Sequence, residues 1–218
     1  MHFVSMRAGA LVLAFGACGL LSGCGSTRFA PTDAASIHTI QLSGFAEPDY
    51  TIQGRFVLNV HSVQPDAKVD FGTLLARNGL HLGDETKAAI AQVLRKDGYQ
   101  IDDGTGTADA ILEVKFGGVP PNGLPMYESA AAGFKPEFSV DAALRDAKTR
   151  RNLFHQFYIY RDNSISPIDG TILLKPDPQF EFGRAEDLYA DPKRAADGFR
   201  AAVPLVAESV GMALSKQP

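Results

Sequence analysis

The chain has 218 residues, of which 45% are hydrophobic and 21% are charged, and its formal net charge at pH 7 is −4. This length and apolar content are enough for a single domain with one hydrophobic core. A mildly acidic surface has no electrostatic attraction for nucleic acid, so we expect no nucleic-acid partner.

The first 23 residues have the layout of a secretory signal. A single positive charge, Arg7, precedes an uncharged and almost wholly apolar run from Ala8 to Leu21. A helix of about 14 residues reaches about 21 Å, which is short of the roughly 30 Å hydrocarbon core of a bilayer. The run therefore predicts a signal peptide, residues 1–23, and not a permanent membrane span.

The apolar run ends at Leu21-Ser22-Gly23-Cys24, which resembles the lipobox of bacterial envelope lipoproteins. In that class the signal is cut before the acylated cysteine, so the resemblance implies cleavage between Gly23 and Cys24 and a lipid anchor on Cys24. Cys18 follows Phe15-Gly16-Ala17, which fits the box poorly. A mature chain that begins at Cys24 holds one cysteine and forms no internal disulfide.

The resemblance also implies a location. An aspartate after the acylated cysteine often retains such lipoproteins in the inner membrane, whereas Gly25 and Ser26 follow Cys24 here. We therefore expect a periplasm-facing protein held to the outer membrane by its N-terminal acyl chains, palmitate among them. Removal of residues 1–23 leaves 20 basic and 25 acidic residues, a net charge of −5.

The mature chain divides into two parts. Residues 24–36 (CGSTRFAPTDAAS) are small and polar and include a proline, which predicts a tether. Residues 37–218 show no internal repeat and no second linker, which predicts a single α+β domain.

The front half of the domain alternates apolar and polar residues and then shows one helical stripe. Residues 37–42 and 50–63 predict two strands. The stretch LGDETKAAIAQVLRKDGYQI then predicts a helix, with Asp84 placed to cap its start and Gly98 its left-handed stop.

The second half predicts three more strands and a closing helix. Residues 110–116 form one strand, and residues 138–145 and 152–161 form an antiparallel hairpin. The closing helix spans 191–216, with Pro192 in its first turn. Pro204 lies inside this helix and is expected to kink it or divide it in two.

An antiparallel sheet of about five strands, with two main helices packed on one face, buries all of these apolar stripes. The order of elements over residues 84–161, through "KDGYQI", "ADAILEVKF" and "RDAKTRRNLF", is similar to that of small α+β envelope lipoproteins. Some of these are accessory subunits of transport and cell-wall machines, so the resemblance implies an envelope protein partner. An exposed sheet edge at strand 37–42 or 110–116 is a second route to a partner or another copy.

Two long segments rich in proline and glycine, 117–137 and 162–183, are predicted as binding loops. Their apolar side chains either form a partner surface or pack back onto the core. The candidate partner residues are Leu124, Met126, Tyr127, Ile172, Leu173 and Leu174.

Catalytic and metal-binding motifs are absent from the sequence. The mature histidines, at positions 38, 61, 81 and 155, lack metal-ligand spacing, and no G-x-S-x-G occurs. Residues 102–113 depart from a calcium loop because glycine stands at its third and fifth positions. We therefore expect no metal, no cofactor and no enzymatic activity.

Three hypotheses stay open. The first is a non-enzymatic lipoprotein that binds an envelope component. The second is an anchored hydrolase of cell-wall or lipid substrates, which requires the fold to bring His155 close to an aspartate such as Asp141 or Asp162. The third is a carrier of an apolar ligand, which requires a cavity between the sheet and the helices. The sequence leaves the oligomeric state open.

Overall fold

The computed structural model describes residues 26–56, 59–62, 69–102, 104, 106–117, 124–130, 133–162 and 170–215. Cys24 and the rest of the stretch that resembles a lipobox, residues 21–24, lie outside these residues. None of the helices in the described ranges has both the length and the apolar character needed to cross a bilayer.

The domain consists of nine strands, six α-helices and one 3₁₀ turn within the described part of the chain. The strands are β1 Thr39–Ser43, β2 Thr51–Phe56, β3 Asn59–Ser62, β4 Gln100–Asp102, β5 Ala110–Phe116, β6 Met126–Ala130, β7 Gly133–Asp146, β8 Asn152–Tyr160 and β9 Thr171–Leu174. The helices are α1 Pro31–Ser36, α2 Phe71–Arg77, α3 Leu82–Lys96, α4 Ala185–Ala190, α5 Pro192–Arg200 and α6 Ala202–Leu214, and the 3₁₀ turn is Pro178–Phe180.

All nine strands belong to one mixed sheet with the order β3-β2-β6-β7-β5-β1-β4, and β8 pairs with both β7 and β9. The 14-residue β7 organises the sheet, because it pairs antiparallel with β6, β5 and β8. Four pairs are parallel: β1 with β4, β1 with β5, β2 with β6, and β8 with β9. The α+β class and the β7–β8 hairpin are confirmed, whereas the expected antiparallel sheet of about five strands is wrong.

The extra strands come from segments that sequence patterns assign to loops or to one longer strand. β6 and β9 lie inside the predicted loops 117–137 and 162–183. β6 pairs with the distant strand β2 and with the next strand β7, and β9 pairs with the preceding strand β8. The predicted strand 50–63 is two antiparallel strands, β2 and β3. β1 and β5 each have a partner on both sides, so the expectation of an exposed edge at 37–42 or 110–116 is also wrong.

The helices cover one face of the sheet. α5 packs on β7, and α6 packs on β8 and β9. α3 contacts α6, while α2 and α4 contact α5. Buried tyrosine hydroxyls of the sheet join the two layers: Tyr127 donates to the carbonyl of Ala195 at 3.0 Å, and Tyr160 donates to that of Gly198 at 3.1 Å.

The two predicted helices agree with expectation except in the position of a cap and of a break. α3 begins at Leu82, so Asp84 is not its cap but lies in its first turn, where a carboxylate still favours the helix dipole. Gly98 adopts the expected left-handed conformation, with φ of +88°. The closing helix is divided at Ala201, and Pro204 is the third residue of α6, where a helix requires no N–H donor.

The N-terminal segment is in contact with the domain from its first described residues. Within the predicted tether, Thr27 pairs with β8, and residues 31–36 form α1, whose Ala34 is buried. Asp33 of α1 accepts a hydrogen bond from Arg151 at 2.8 Å, next to the β7–β8 turn. Of the stretch predicted as a tether, only Cys24 and Gly25 lie outside the described residues.

Candidate functional site

The sheet face opposite the helices carries a ring of polar side chains around a small floor. Along β7, Val140, Ala142 and Leu144 point into the core, so the residues that alternate with them point to the other face. Ala143 is the floor, with Glu113 of β5 and His155 of β8 in register on its two sides. The cavity measures about 90 Å³ and is also lined by Lys115, Asp141, Arg145 and Asn152. We refer to it as the sheet-face cavity.

His155 and Asp141 form the first polar pair of this cavity. The ring Nε2 of His155 lies 2.8 Å from Oδ1 of Asp141. A carboxylate oxygen only accepts, so Nε2–H donates to it, and in the neutral imidazole Nδ1 is the acceptor. Phe157 holds the imidazole by an edge contact, with ring centroids 4.8 Å apart. The pair therefore has a fixed orientation.

Glu113 organises the two cations of the cavity. Its carboxylate lies 2.8 Å from Nζ of Lys115 and 3.4 Å from Nη1 of Arg145. The hydrogen bond from Lys115 and the charges of both cations hold the pKa of Glu113 below its usual range. Arg145 also donates from Nε to Oδ1 of Asn152 at 3.1 Å. Two cations and two carboxylates thus surround the floor, and their charges cancel.

The size and charge of the sheet-face cavity restrict what it can hold. A volume of about 90 Å³ corresponds to about three water molecules at roughly 30 Å³ each. That room suits a small polar group and excludes a drug-sized ligand, which needs at least about 300 Å³. The described residues that line it include no serine, threonine or cysteine, so they offer no hydroxyl or thiol nucleophile.

The N-terminal segment passes directly beside this cavity. The backbone N–H of Thr27 donates to the carbonyl of His155 at 2.9 Å, and the N–H of His155 donates back to Thr27 at 3.0 Å. Ser26 lies against Gly170, just before β9. Gln156 also donates to the carbonyl of Gly170. The chain therefore leaves the predicted acylation site and meets the domain at the outer edge of β8.

The candidate partner residues separate into two groups. Met126, Tyr127 and Leu174 are buried in the core. For these three, the structure agrees with the second alternative, in which the side chains pack onto the core. Leu124 and Leu173 are half-buried, and Ile172 is 38% exposed. The partner surface predicted for the two loops is thereby reduced to Leu124, Ile172 and Leu173, and it stays a prediction.

Of the two aspartates considered beside His155, the structure brings only Asp141 to it. Asp162 lies 2.5 Å from Nζ of Lys135, which also contacts Glu181 at 3.3 Å. These three residues belong to a separate cavity of about 60 Å³. The hydrolase hypothesis therefore retains one His–Asp pair.

Sequence inspection missed Glu113, Lys115 and Arg145 as site residues. Each stands on a predicted strand, at a position that alternates with core residues, and such charges ordinarily lie on a solvated face. The signal that identifies them is cross-strand register, which places Lys115 opposite Asp141 and Glu113 opposite Ala143. That register becomes visible only once the strands are paired.

An acidic pair, one member buried and the other half-buried, lies further along the same face. Glu128 of β6 is 8% exposed, and Glu137 of β7 is 3.4 Å from Nη1 of Arg161. Burial, followed by the neighbouring Glu128, raises the pKa of Glu137 to about 7. Grouped histidine, cysteine, aspartate and glutamate side chains that would suit a metal ion do not occur among the described residues.

Comparison with known proteins gives no family for the chain. No family model and no curated protein matches it. A solved structure from Xanthomonas campestris, described as DUF330, is 13% identical, with 82% of this chain and 84% of that chain covered and a TM-score of 0.41. A protein of Caulobacter crescentus, provisionally described as a lipoprotein, is 15% identical over 66% of this chain and 95% of that one, with a TM-score of 0.33. Both TM-scores are below 0.5, so the function is argued from this chain's own residues.

Proposed function

We propose that the protein is a lipid-anchored lipoprotein of the outer membrane that faces the periplasm and binds another envelope component as an accessory subunit. The anchor is Cys24 in Leu21-Ser22-Gly23-Cys24, and Gly25 and Ser26 after it favour the outer membrane. Acyl chains on the cysteine provide the two or more hydrophobic anchors that stable attachment requires.

The observation that carries the proposal is the backbone pairing of Thr27 with His155. Thr27 is the third residue after Cys24, and these three residue steps span at most about 10 Å. The anchor therefore holds the domain against the membrane with one edge facing it, and the opposite parts of the domain face the periplasm. Such an arrangement suits a subunit that presents a binding surface at a fixed height above the lipid.

The chain offers a matched pair of variants for the anchor. Cys24→Ser is expected to abolish acylation and release the protein from membranes, whereas Cys18→Ser lies in the predicted signal and is expected to leave both unchanged. Intact mass of the mature protein and membrane fractionation measure the two properties. An unmodified but membrane-bound wild-type protein would contradict the anchor.

The accessory role is tested by affinity purification of the anchored protein from gently solubilised envelopes. A defined set of envelope proteins is expected with the wild type, and we expect Ile172→Glu to lose it, because Ile172 is the exposed apolar residue of β9. Met212→Glu is the control, since Met212 is 74% exposed on α6. Equal recovery with all three proteins would show that Ile172 is not part of the interface.

A second candidate, the anchored hydrolase, is favoured by the 2.8 Å contact of His155 with Asp141. In that arrangement Nδ1 of His155 would activate a water molecule, since the described lining residues include no hydroxyl or thiol nucleophile. Purified protein is incubated with isolated peptidoglycan and with phospholipid vesicles, and released products are quantified. Product that forms with wild type and Lys148→Gln but not with His155→Gln would establish the hydrolase and overturn the non-enzymatic proposal.

The third candidate, a carrier of an apolar ligand, needs space between the sheet and the helices. That interface is filled by an aromatic cluster, in which the ring of Tyr127 lies 5.1 Å from that of Phe199 and 5.4 Å from that of Phe182. Phe138 packs on Phe199 from the neighbouring strand, at 6.3 Å. These rings occupy the place where the ligand would bind, and no observation favours this function.

A further inference from the structure

The position of the sheet-face cavity relative to the anchor suggests a ligand class. His155 lines the cavity and also pairs with Thr27, three residues after the predicted acylated cysteine. A span of at most about 10 Å keeps this edge near the headgroup layer, which is roughly 5 to 8 Å thick on each side of the hydrocarbon core. The cavity therefore lies within reach of phospholipid headgroups. This step rests on the proposed lipid anchor.

The charges of the cavity define the chemistry of a complementary ligand. Lys115 and Arg145 supply donors of the kind that bind a phosphate, and Arg145 is a planar, multidentate donor. Asp141 and Glu113 supply carboxylates that accept hydrogen bonds from a primary ammonium, and Nδ1 of His155 adds a further acceptor. The two cations and two carboxylates around this small floor complement a ligand that carries both a phosphate and an ammonium.

We propose that the sheet-face cavity binds the headgroup of a phospholipid with a phosphate and a primary ammonium, that is, an ethanolamine phospholipid of the membrane that holds the anchor. The volume of about 90 Å³ admits one charged group of the headgroup, so the other lies at the cavity rim and the acyl chains stay in the bilayer. Binding exchanges the ion pairs of Glu113 with Lys115 and Arg145 for contacts with the headgroup.

The same chemistry discriminates against other headgroups. A glycerol headgroup leaves the lipid with a net negative charge and brings it close to Asp141 and Glu113 without an ammonium to neutralise them. A choline headgroup has three methyl groups on its nitrogen and donates no hydrogen bond to these carboxylates. Ethanolamine phospholipid is therefore expected to bind most tightly of the three.

Ala143 provides a variant that tests the cavity without changing a charge. It is the small floor residue between Glu113 and His155, so Ala143→Leu fills the space that the headgroup needs. Lys115→Gln removes one hydrogen-bond donor to the phosphate, and the Lys115 side chain is 59% exposed. This substitution is the second variant if Ala143→Leu does not fold. Lys148→Gln, in the β7–β8 turn outside the cavity, is the matched control for lost charge.

The full mature protein is inserted into phosphatidylcholine nanodiscs with a rising fraction of phosphatidylethanolamine or phosphatidylglycerol, at constant pH. The ring signals of carbon-labelled histidine are followed by NMR, and the signal that disappears in His155→Gln is assigned to His155. We expect a saturable shift of that signal with phosphatidylethanolamine, loss of the shift in Ala143→Leu, and about tenfold weaker binding in Lys115→Gln. Lys148→Gln is expected to respond as the wild type does.

Two results would overturn the inference. An equal shift with phosphatidylglycerol would show simple attraction of anions, and no saturable shift with any lipid would show a solvated polar face without a ligand. Intact mass of the same sample separates this inference from the proposed function. If the protein is acylated but its His155 signal does not respond, only the headgroup site is rejected. If the protein carries no acyl chains, the anchor on which the inference rests is rejected.

Discussion

At the scale of single residues, Glu137 links protonation to folding. Burial is the main reason that its pKa rises to about 7, and Glu128 beside it adds to the effect, while Arg161 opposes it. The ordinary pKa of a glutamate, 4.5, applies in the unfolded chain. A raised pKa in the folded state means that folding favours the protonated acid.

The sign of the pH dependence follows from these two values. Below the unfolded pKa of 4.5 the acid is protonated in both states, so its stabilising effect is complete. Between 4.5 and about 7 the unfolded chain loses the proton first, and stability falls as pH rises. This loss should be on the order of 1 to 3 kcal/mol. Denaturant titrations across this pH range measure it.

Glu137→Gln tests the assignment because glutamine imitates the protonated acid. The variant is expected to lose most of this pH dependence and to be more stable than the wild type above pH 7. Glu186→Gln is the control, since the Glu186 side chain is 60% exposed and should leave the pH profile unchanged. An identical pH profile for wild type and Glu137→Gln would assign the raised pKa to another group.

At the scale of elements, α5 is fixed to the sheet by the close approach of Gly198 to Tyr127. A Cβ at position 198 would overlap the Tyr127 hydroxyl and lie 3.2 Å from Cβ of Phe180. That hydroxyl is buried and donates to the carbonyl of Ala195, so it has little freedom to move. The absence of a side chain at Gly198 therefore sets the distance between helix and sheet.

Gly198→Ala is expected to destabilise the fold by about 1 to 3 kcal/mol, although alanine favours helices over glycine by about 1 kcal/mol. Gly72→Ala is the matched control in α2, because a Cβ there meets its nearest neighbours at 3.4 and 3.6 Å, which is ordinary contact. Thermal unfolding of both variants measures the difference. Equal stability of the two would show that Tyr127 moves aside at little cost.

At the scale of the whole molecule, local patterns in the sequence predicted the elements whose signals lie within one stretch of chain. α3 has its apolar stripe and terminal Gly98, and the β7–β8 hairpin has alternation on both sides of a polar turn. β6 and β9 were missed because they are only five and four residues long and lie in segments rich in proline and glycine. The parallel pairing of β6 with β2, like that of β1 with β4, depends on contacts distant in sequence.

The candidate site shows the same limit. His155 and Asp141 were considered together from residue type alone, but the four other polar side chains of the sheet-face cavity were not. Their meeting depends on the register of three strands, which no single stretch encodes. The proximity of the N-terminal segment was also missed, because residues 24–36 have the composition of a flexible tether and yet pair with β8 at Thr27.

If Cys24 carries the proposed lipid anchor, the contact of Thr27 with His155 predicts that the length of chain between Cys24 and Thr27 sets the height of the domain above the membrane. About ten glycine and serine residues inserted between Gly25 and Ser26 add roughly 17 Å of reach. The expected results are an unchanged melting temperature, since all described contacts are kept, and a domain that moves away from the lipid. Nanodiscs with gadolinium-labelled headgroups measure this, because the His155 ring signal is broadened in the wild type and should sharpen in the variant. The same linker placed after Pro218 is the control. Equal broadening in all three proteins would contradict the prediction. It would mean that the domain stays at the membrane through its own surface and not through the short connection to Cys24.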